Sequence, residues 1–251
     1  VLRESKRHWQ FKWRGRIEKE FLFETVRAKA LLPFMVKRSQ LVFLPLTDHK
    51  DGIRILQTDE LLKSRKLYAA QWLRGVEQAW KPLFPNKSSL TEGLASNQAL
   101  LAQEPKKEMV VLCSVIGSKQ SAALYTSDAK ARSHDGNGFI ANHETYYYYP
   151  QSADEGDYLC AALNSRPVTE KLQNLRSNPS GGIRAFHRFP TILAAMPRFD
   201  PDDPAHQTLA ECGRECRIAH GDSGEKVNGS RKQTFRTFLS RIDKTVDSLL
   251  G

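Results

Sequence analysis

Two groups of residues in the C-terminal quarter of this chain have the types and spacing to do metal chemistry. Cys212, Cys216 and His220 recur every fourth residue, so a helix would align two thiols and an imidazole along one stripe, with His206 nearby. Structural zinc sites draw their ligands from turns as well, in short pairs such as Cys-x-x-Cys. The spacing therefore favours two small apolar cysteines packed against a core, with His220 at a helix end where the dipole welcomes it. Asp200, Asp202 and Asp203 with His206 could bind a divalent cation. The same residue types also build a turn that caps the following helix, and that is the expectation.

Other groups suit a polyanionic partner. Four consecutive tyrosines, Tyr146–Tyr149, close a strand, and alternation puts two on each face. One pair can fill a core; the other can stack on a base or contact a phosphate through its hydroxyl. The loop Ser180–Arg188 (SGGIRAFHR) joins two glycines, which let a backbone approach closely, to Arg184, His187 and Arg188. Lys119 and Gln120 fall in a turn between strands, and Arg132 precedes the turn-rich SHDGNG segment. Arg and Gln are the natural readers of guanine and adenine in the major groove. The expected DNA contacts are Lys119, Gln120, Arg132, Tyr147, Arg184, His187 and Arg188.

Several catalytic motifs are absent from the sequence. It has no P-loop for a nucleoside triphosphate. The GNG at Gly136–Gly138 lacks the third glycine of a dinucleotide fingerprint. No Gly-x-Ser-x-Gly elbow or His-Glu-x-x-His occurs.

The elements that must position these groups are readable in part. Residues 1–39 mix charge with aromatics. Gln40–Leu46 reads as a strand, Thr47–Gly52 as a turn and Ile53–Leu56 as the returning strand. Residues 58–80 carry helical periodicity through Leu61, Leu62, Tyr68, Trp72, Leu73, Val76 and Trp80, with Thr58 as the cap. Lys63, Arg65, Lys66 and Arg74 fall mostly on the polar side of that helix, a solvated face. Residues 86–108 are polar, a loop with a short helix. Strands are expected at Met109–Ile116, Gln120–Thr126 and Phe139–Tyr149. Helices follow at Glu155–Asn164, Val168–Leu175, His206–His220 and Thr234–Leu250. This order of strands, helix, strands and helices predicts an α+β fold: a mixed sheet region with flanking helices and a helical C-terminus. The expected division is a recognition domain over 1–199 with a C-terminal helical segment, 200–251, packing on it.

Composition narrows the partners. Of the 251 residues 40% are hydrophobic, enough for a packed core. Lys and Arg number 38 against 28 Asp and Glu, a net charge of +10 that favours DNA or RNA. No run of eighteen apolar residues occurs, the basic and aromatic stretch Val1–Trp13 gives no expectation of a signal peptide, and four sparse cysteines suit a reducing cytoplasm. The opening on Val1, amid an already dense pattern, gives the expectation of a fragment or a processed product.

The ordered segments HETYYYYP, DEGDYLCAALNSRPV and PRFDPDDPAHQTLAECGRECR, preceded by EKEFLFETVRAKALLPF, carry a further signal. Together they resemble the C-terminal region of adenine-specific DNA methyltransferases of the type I and type IIG restriction–modification kind. In that family a strand ending in aromatics precedes a helix that closes on Leu-Asn-Ser, here Leu163, Asn164 and Ser165. The resemblance spans nearly the whole chain as an order of segments, and it implies a target recognition domain that grips duplex DNA. The family's catalytic domain holds S-adenosylmethionine on a Gly-rich strand–turn and positions a flipped adenine with Asn-Pro-Pro-Tyr. This chain has no Pro-Pro pair, and its Asn178-Pro179 is followed by Ser180. No cofactor-binding or catalytic residue is carried over, and base flipping needs a partner domain to receive the base. The expected partners are double-stranded DNA and a methyltransferase catalytic domain or subunit. The alternatives are a stand-alone DNA-binding regulator, a subunit-contact module built on 206–250, and a metal-dependent nuclease using Asp200, Asp202 and His206.

Overall fold

Hydrophobic periodicity, turn chemistry and a few close backbone approaches account for most elements in the computed structural model. It describes residues 14–50, 52–82, 84, 89–95, 98–115, 120–127, 136–174, 196–221 and 229–250. The strands are β1 (Leu22–Thr25), β2 (Leu31–Leu32), β3 (Met35–Val36), β4 (Gln40–Phe43), β5 (Leu46–His49), β6 (Gly52–Ile55), β7 (Met109–Ser114), β8 (Ala122–Thr126) and β9 (Thr145–Tyr148). The helices are α1 (Thr58–Lys63), α2 (Leu67–Trp80), α3 (Leu90–Ala95), α4 (Gln98–Leu101), α5 (Ala153–Asn164), α6 (Arg166–Asn174), α7 (Pro204–Gly221) and α8 (Gly229–Leu250). The class is α+β with a helical C-terminus. The sheets are small and separate, and their registered pairings are antiparallel, not mixed. Glu24 and Phe139 make an isolated parallel bridge. Among the described residues no helix is long and apolar enough to cross a membrane.

The chain divides into two compact units, each built from segments that are not consecutive in sequence. One unit takes Val1–Glu24, Leu41–Lys106 and Gly136–Ile140; the other takes Thr25–Gln40, Lys107–Asp135 and Ala141–Gly251. The C-terminal helices thus belong to the same unit as the sheet β8-β7-β9.

In the first unit β4 pairs with β1, and β5 with β6 in a hairpin that sets Leu46 opposite Ile55 and His49 opposite Gly52. Thr47–His49 is therefore strand, where a turn was expected. Pro45 has no N–H to give a ladder, so it splits the apolar run Gln40–Leu46 in two and starts the hairpin early. Phe23, Leu46, Ile55, Leu100 and Ile140 form one buried cluster, and Phe21, Leu61, Ala69, Ala70 and Leu73 another. The expected single helix 58–80 is broken. Arg65 adopts φ 58°, its N–H bonds to Leu62 O, and the Lys66 N–H reaches back to Leu61 O. That is a Schellman stop, made here without the usual glycine. Gln57, not Thr58, precedes the first turn, and the Glu60 carboxylate accepts the Gln57 N–H at 2.8 Å. The polar stretch 86–108 supplies two short helices, α3 and α4.

The second unit is a sheet of order β8-β7-β9 covered by helices. Val111, Cys113, Ala122 and Leu124 pack with Tyr158, Leu159, Ala162 and Leu163 of α5. Gly156 allows this approach: a Cβ there would come within 2.8 Å of the Leu124 Cδ1. On its other side α5 meets α7 still more closely, since a Cβ on Gly213 would lie 2.2 Å from Asp157 O. Ile242 and Val246 of α8 complete the core. Strand β9 is shorter than the expected Phe139–Tyr149. The Phe139 N–H bonds Pro105 O and the Ile140 N–H bonds Glu24 O, so those residues serve the first unit.

Candidate nucleic-acid interface

Strand β9 lies beside β7 with Tyr146 opposite Cys113, Tyr147 opposite Leu112 and Tyr148 opposite Val111. The pleat sends alternate rings to opposite faces, as the sequence predicts. Tyr146 packs against the core that α5 covers. Tyr148 donates its hydroxyl to Glu155 Oε1 at 2.8 Å, a bond that raises the Tyr148 pKa above its ordinary value. Glu155 also accepts the Gln151 N–H at the start of α5. The half-buried Tyr147 and Tyr149 share the other face, their rings 5.4 Å apart and tilted by 54°. An aromatic pair of this kind has the shape to stack on a base.

Gln120 does not occupy the exposed turn position expected of a base reader. It is 3% exposed, and its Nε2 donates to Cys113 Sγ at 2.6 Å. Ser121 and Ser114 bond each other and prolong the β7–β8 ladder, which turns Gln120 inward. Burial pushes the Cys113 thiol up to about 12, so it stays protonated and inert. Lys119, Arg132, Arg184, His187 and Arg188 lie outside the described residues, as does the whole Ser180–Arg188 loop.

The Asp–His segment does the work of a cap. Asp203 Oδ1 accepts the N–H of Ala205 at 2.7 Å and of His206 at 3.2 Å, which holds its carboxyl below the ordinary value. Asp200 Oδ1 accepts the Asp202 N–H, and His206 Nδ1 accepts the Asp200 N–H at 3.0 Å. His206 itself is buried beside Tyr158, ring centroids 4.8 Å apart. Cys212 and Cys216 are buried in the core, and burial raises both thiols, Cys216 to about 12. The side chain of His220 is not among those described. Among the described residues no group of His, Cys, Asp and Glu is arranged to hold a metal ion.

Motif residues far apart in sequence are fastened to each other within the second unit. Arg27 donates to Glu144 through Nη2 at 2.9 Å and Nε at 3.4 Å, and Glu144 also accepts the Ala28 N–H. These bonds hold the Glu144 carboxyl below its ordinary value. Asn164 clasps the backbone of β8 like a neighbouring strand: Oδ1 accepts the Ala122 N–H at 2.9 Å and Nδ2 donates to Ala122 O at 2.8 Å. Ser165 then turns the chain into α6, its Oγ donating to Ala162 O and accepting from the Val168 N–H. Tyr158 donates to Pro197 O at 2.8 Å. Asp157, 1% exposed at its side chain, receives Arg217 in a two-bond pair at 2.8 and 2.7 Å.

A cleft of about 390 Å³ in the first unit is lined by Glu20, Phe23, Asp48, Arg54, Lys66 and Lys106 among others. Its cations are already neutralised: Lys66 by Glu20, Lys106 by Asp48 and Arg54 by Glu60. It is therefore a poor pocket for an anion. Cations outside this cleft are plentiful on the described surface, with Arg14, Arg16, Lys63, Arg65, Arg74 and Lys81 exposed in the first unit. Lys63, Arg65 and Arg74 are the charges expected on a solvated helix face, and a charge on a helix looks the same in sequence whether it faces solvent or a phosphate. No protein-family model matches this chain, and no match is found among curated protein sequences.

Proposed function

We propose that this chain is the DNA target recognition part of an S-adenosylmethionine-dependent adenine methyltransferase of a restriction–modification system. The observation that carries the reading is the order of four segments, 18–34, 143–150, 154–168 and 197–217, which resembles the recognition region of that family. Support comes from how those segments are used. Arg27 meets Glu144, Asn164 holds Ala122, and Tyr158 holds Pro197, so the motif residues join distant segments into one framework. A framework of this kind carries recognition on surface side chains and loops while its own motif residues stay inside. The net charge of +10 suits a partner that presents one phosphate every few ångströms.

In this reading phosphate contacts set the register on the duplex, and a few side chains read base edges. The aromatic face of Tyr147 and the cations Lys119, Arg132, Arg184 and Arg188, with His187, are the proposed contacts. Methyl transfer belongs to a catalytic domain or subunit that supplies the Gly-rich strand–turn and the Asn-Pro-Pro-Tyr segment. The sequence of this chain offers neither, so no chemical step is assigned to its residues.

The purified chain is expected to bind duplex DNA with an affinity that falls steeply with salt. It is expected to transfer no labelled methyl group from S-adenosylmethionine by itself. Incorporation of label by the chain alone would refute the division of labour, and binding that is absent even at low salt would refute the reading altogether. A coding stretch immediately upstream of Val1 that specifies Asn-Pro-Pro-Tyr after a Gly-rich strand–turn is the expected genomic companion.

A further inference from the structure

Helix α2 carries an exposed stripe that its own fold does not use. Leu67, Gln71, Arg74, Gln78 and Lys81 follow one another at spacings of four, three, four and three. At 3.6 residues per turn this keeps them within about a quarter of the helix circumference. The far side is held in place by burial, with Ala69 and Leu73 packed on Phe21 and Leu61 and Ala70 buried at its edge. All five stripe residues are exposed, Leu67 at 59%. Among the described residues no hydrogen bond or ion pair engages the side chains of Gln71, Arg74, Gln78 or Lys81.

We infer that this stripe is the surface that enters the major groove of duplex DNA, with α2 as the reading helix. The inference rests on the DNA-binding reading above and gives it a surface. The residue types match what a groove offers: Arg74 for guanine O6 and N7, Gln71 and Gln78 for adenine N6 and N7, and Leu67 for a thymine methyl. Lys81 lies at the far end, where a phosphate is met. The helix is 14 residues long, roughly 20 Å, and slender enough for a groove about 12 Å wide.

Charge complementarity decides between this partner and bare solvent. The stripe holds two cations and no carboxylate, and the neighbouring acids in sequence and contact make bonds of their own to other groups. Glu18 accepts the N–H groups of Tyr68 and Ala69 at 3.1 and 2.7 Å. Glu20 pairs with Lys66 at 2.7 Å, Glu60 with Arg54 at 2.7 Å, and Glu77 accepts from Thr91 at 3.1 Å. Exposed Lys63 and Arg65 stand at the α1–α2 corner, where the Schellman stop fixes the backbone. Exposed Arg16 is tied to the flank of α2, since its carbonyl accepts the Trp72 indole N–H at 2.8 Å. Because Glu18 already occupies the N-terminus of α2, phosphates are met by these side chains and not by the helix end.

The test uses the full chain, a random pool of duplex oligonucleotides for site selection, and fluorescence anisotropy at several salt concentrations. Arg74→Ala is expected to weaken the selected site about tenfold or more and to relax the preference at one base pair. Gln71→Ala with Gln78→Ala is expected to relax others. Lys81→Ala is expected to weaken all sequences alike and to lower the salt slope by about one. Arg74→Lys keeps the charge, so it is expected to lose preference while holding the salt slope. Circular dichroism of each variant establishes that α2 is intact, as expected for surface changes. Unchanged selected sites and affinities within twofold in folded Arg74→Ala and Gln71→Ala/Gln78→Ala proteins would overturn the groove assignment while leaving DNA binding standing. Failure of the unsubstituted chain to bind any duplex would overturn both readings.

Discussion

Arg217 reaches from α7 to a carboxylate that water barely touches, and the pair has consequences for stability. Burial raises the Asp157 pKa above its ordinary 3.8, while the guanidinium pulls it down; burial dominates. Arg217→Ala leaves the carboxylate buried without its ion partner, and a loss of about 3 kcal/mol is expected in urea unfolding. This is the low end for a buried pair, because the Arg217 side chain keeps 32% of its exposure. The loss is expected to shrink as the pH falls, since the stranded Asp157 then takes up a proton and becomes neutral. Equal losses at pH 4 and pH 7 would contradict this origin. Glu144 titrates with the opposite sign. Its folded pKa lies below the ordinary 4.5, so its contribution is present above that value and is lost as the pH falls through the lowered one. Glu144→Gln is therefore expected to flatten the acid limb of a plot of Tm against pH.

At the scale of elements, contacts between helices matter more than their propensities. Gly213→Ala would press a methyl carbon onto Asp157 O, so α5 and α7 must separate. A cost of about 3 kcal/mol in the free energy of urea unfolding is expected, whereas the same change at Gly93, where a Cβ meets nothing within 4 Å, is expected to be neutral or mildly stabilising. Helices α7 and α8 were legible in the sequence because each has a long apolar face, whereas α5 is buried at every position from Gly156 to Leu163. Strand β7 was legible as a continuous buried run. The corner between α1 and α2 was not. It depends on Arg65 in a left-handed conformation, which no glycine or asparagine announces. The inward turn of Gln120 escaped notice for a similar reason: it follows from Ser114 and Ser121 extending a ladder across the chain.

For the whole molecule the expectation is electrostatic. If several of its 38 Lys and Arg residues meet phosphates, log K should fall linearly with log salt, with a slope near −0.9 for each phosphate contacted. A slope near zero in a filter-binding or anisotropy titration would be inconsistent with a phosphate-dominated interface. The two compact units of the chain are each discontinuous in sequence. Charge, the catalytic motifs missing from the chain, the α+β class and the main helices were settled by the sequence alone, because composition and periodicity are local properties. The fate of the candidate residues that the structure describes was decided by tertiary structure. Asp203 became a cap, Cys212 and Cys216 became core, and Gln120 turned inside, while Gln71, Arg74 and Gln78 were left on the surface. The reason is physical: a side chain's chemistry is written in its type, but its access to a partner depends on which distant segment packs against it.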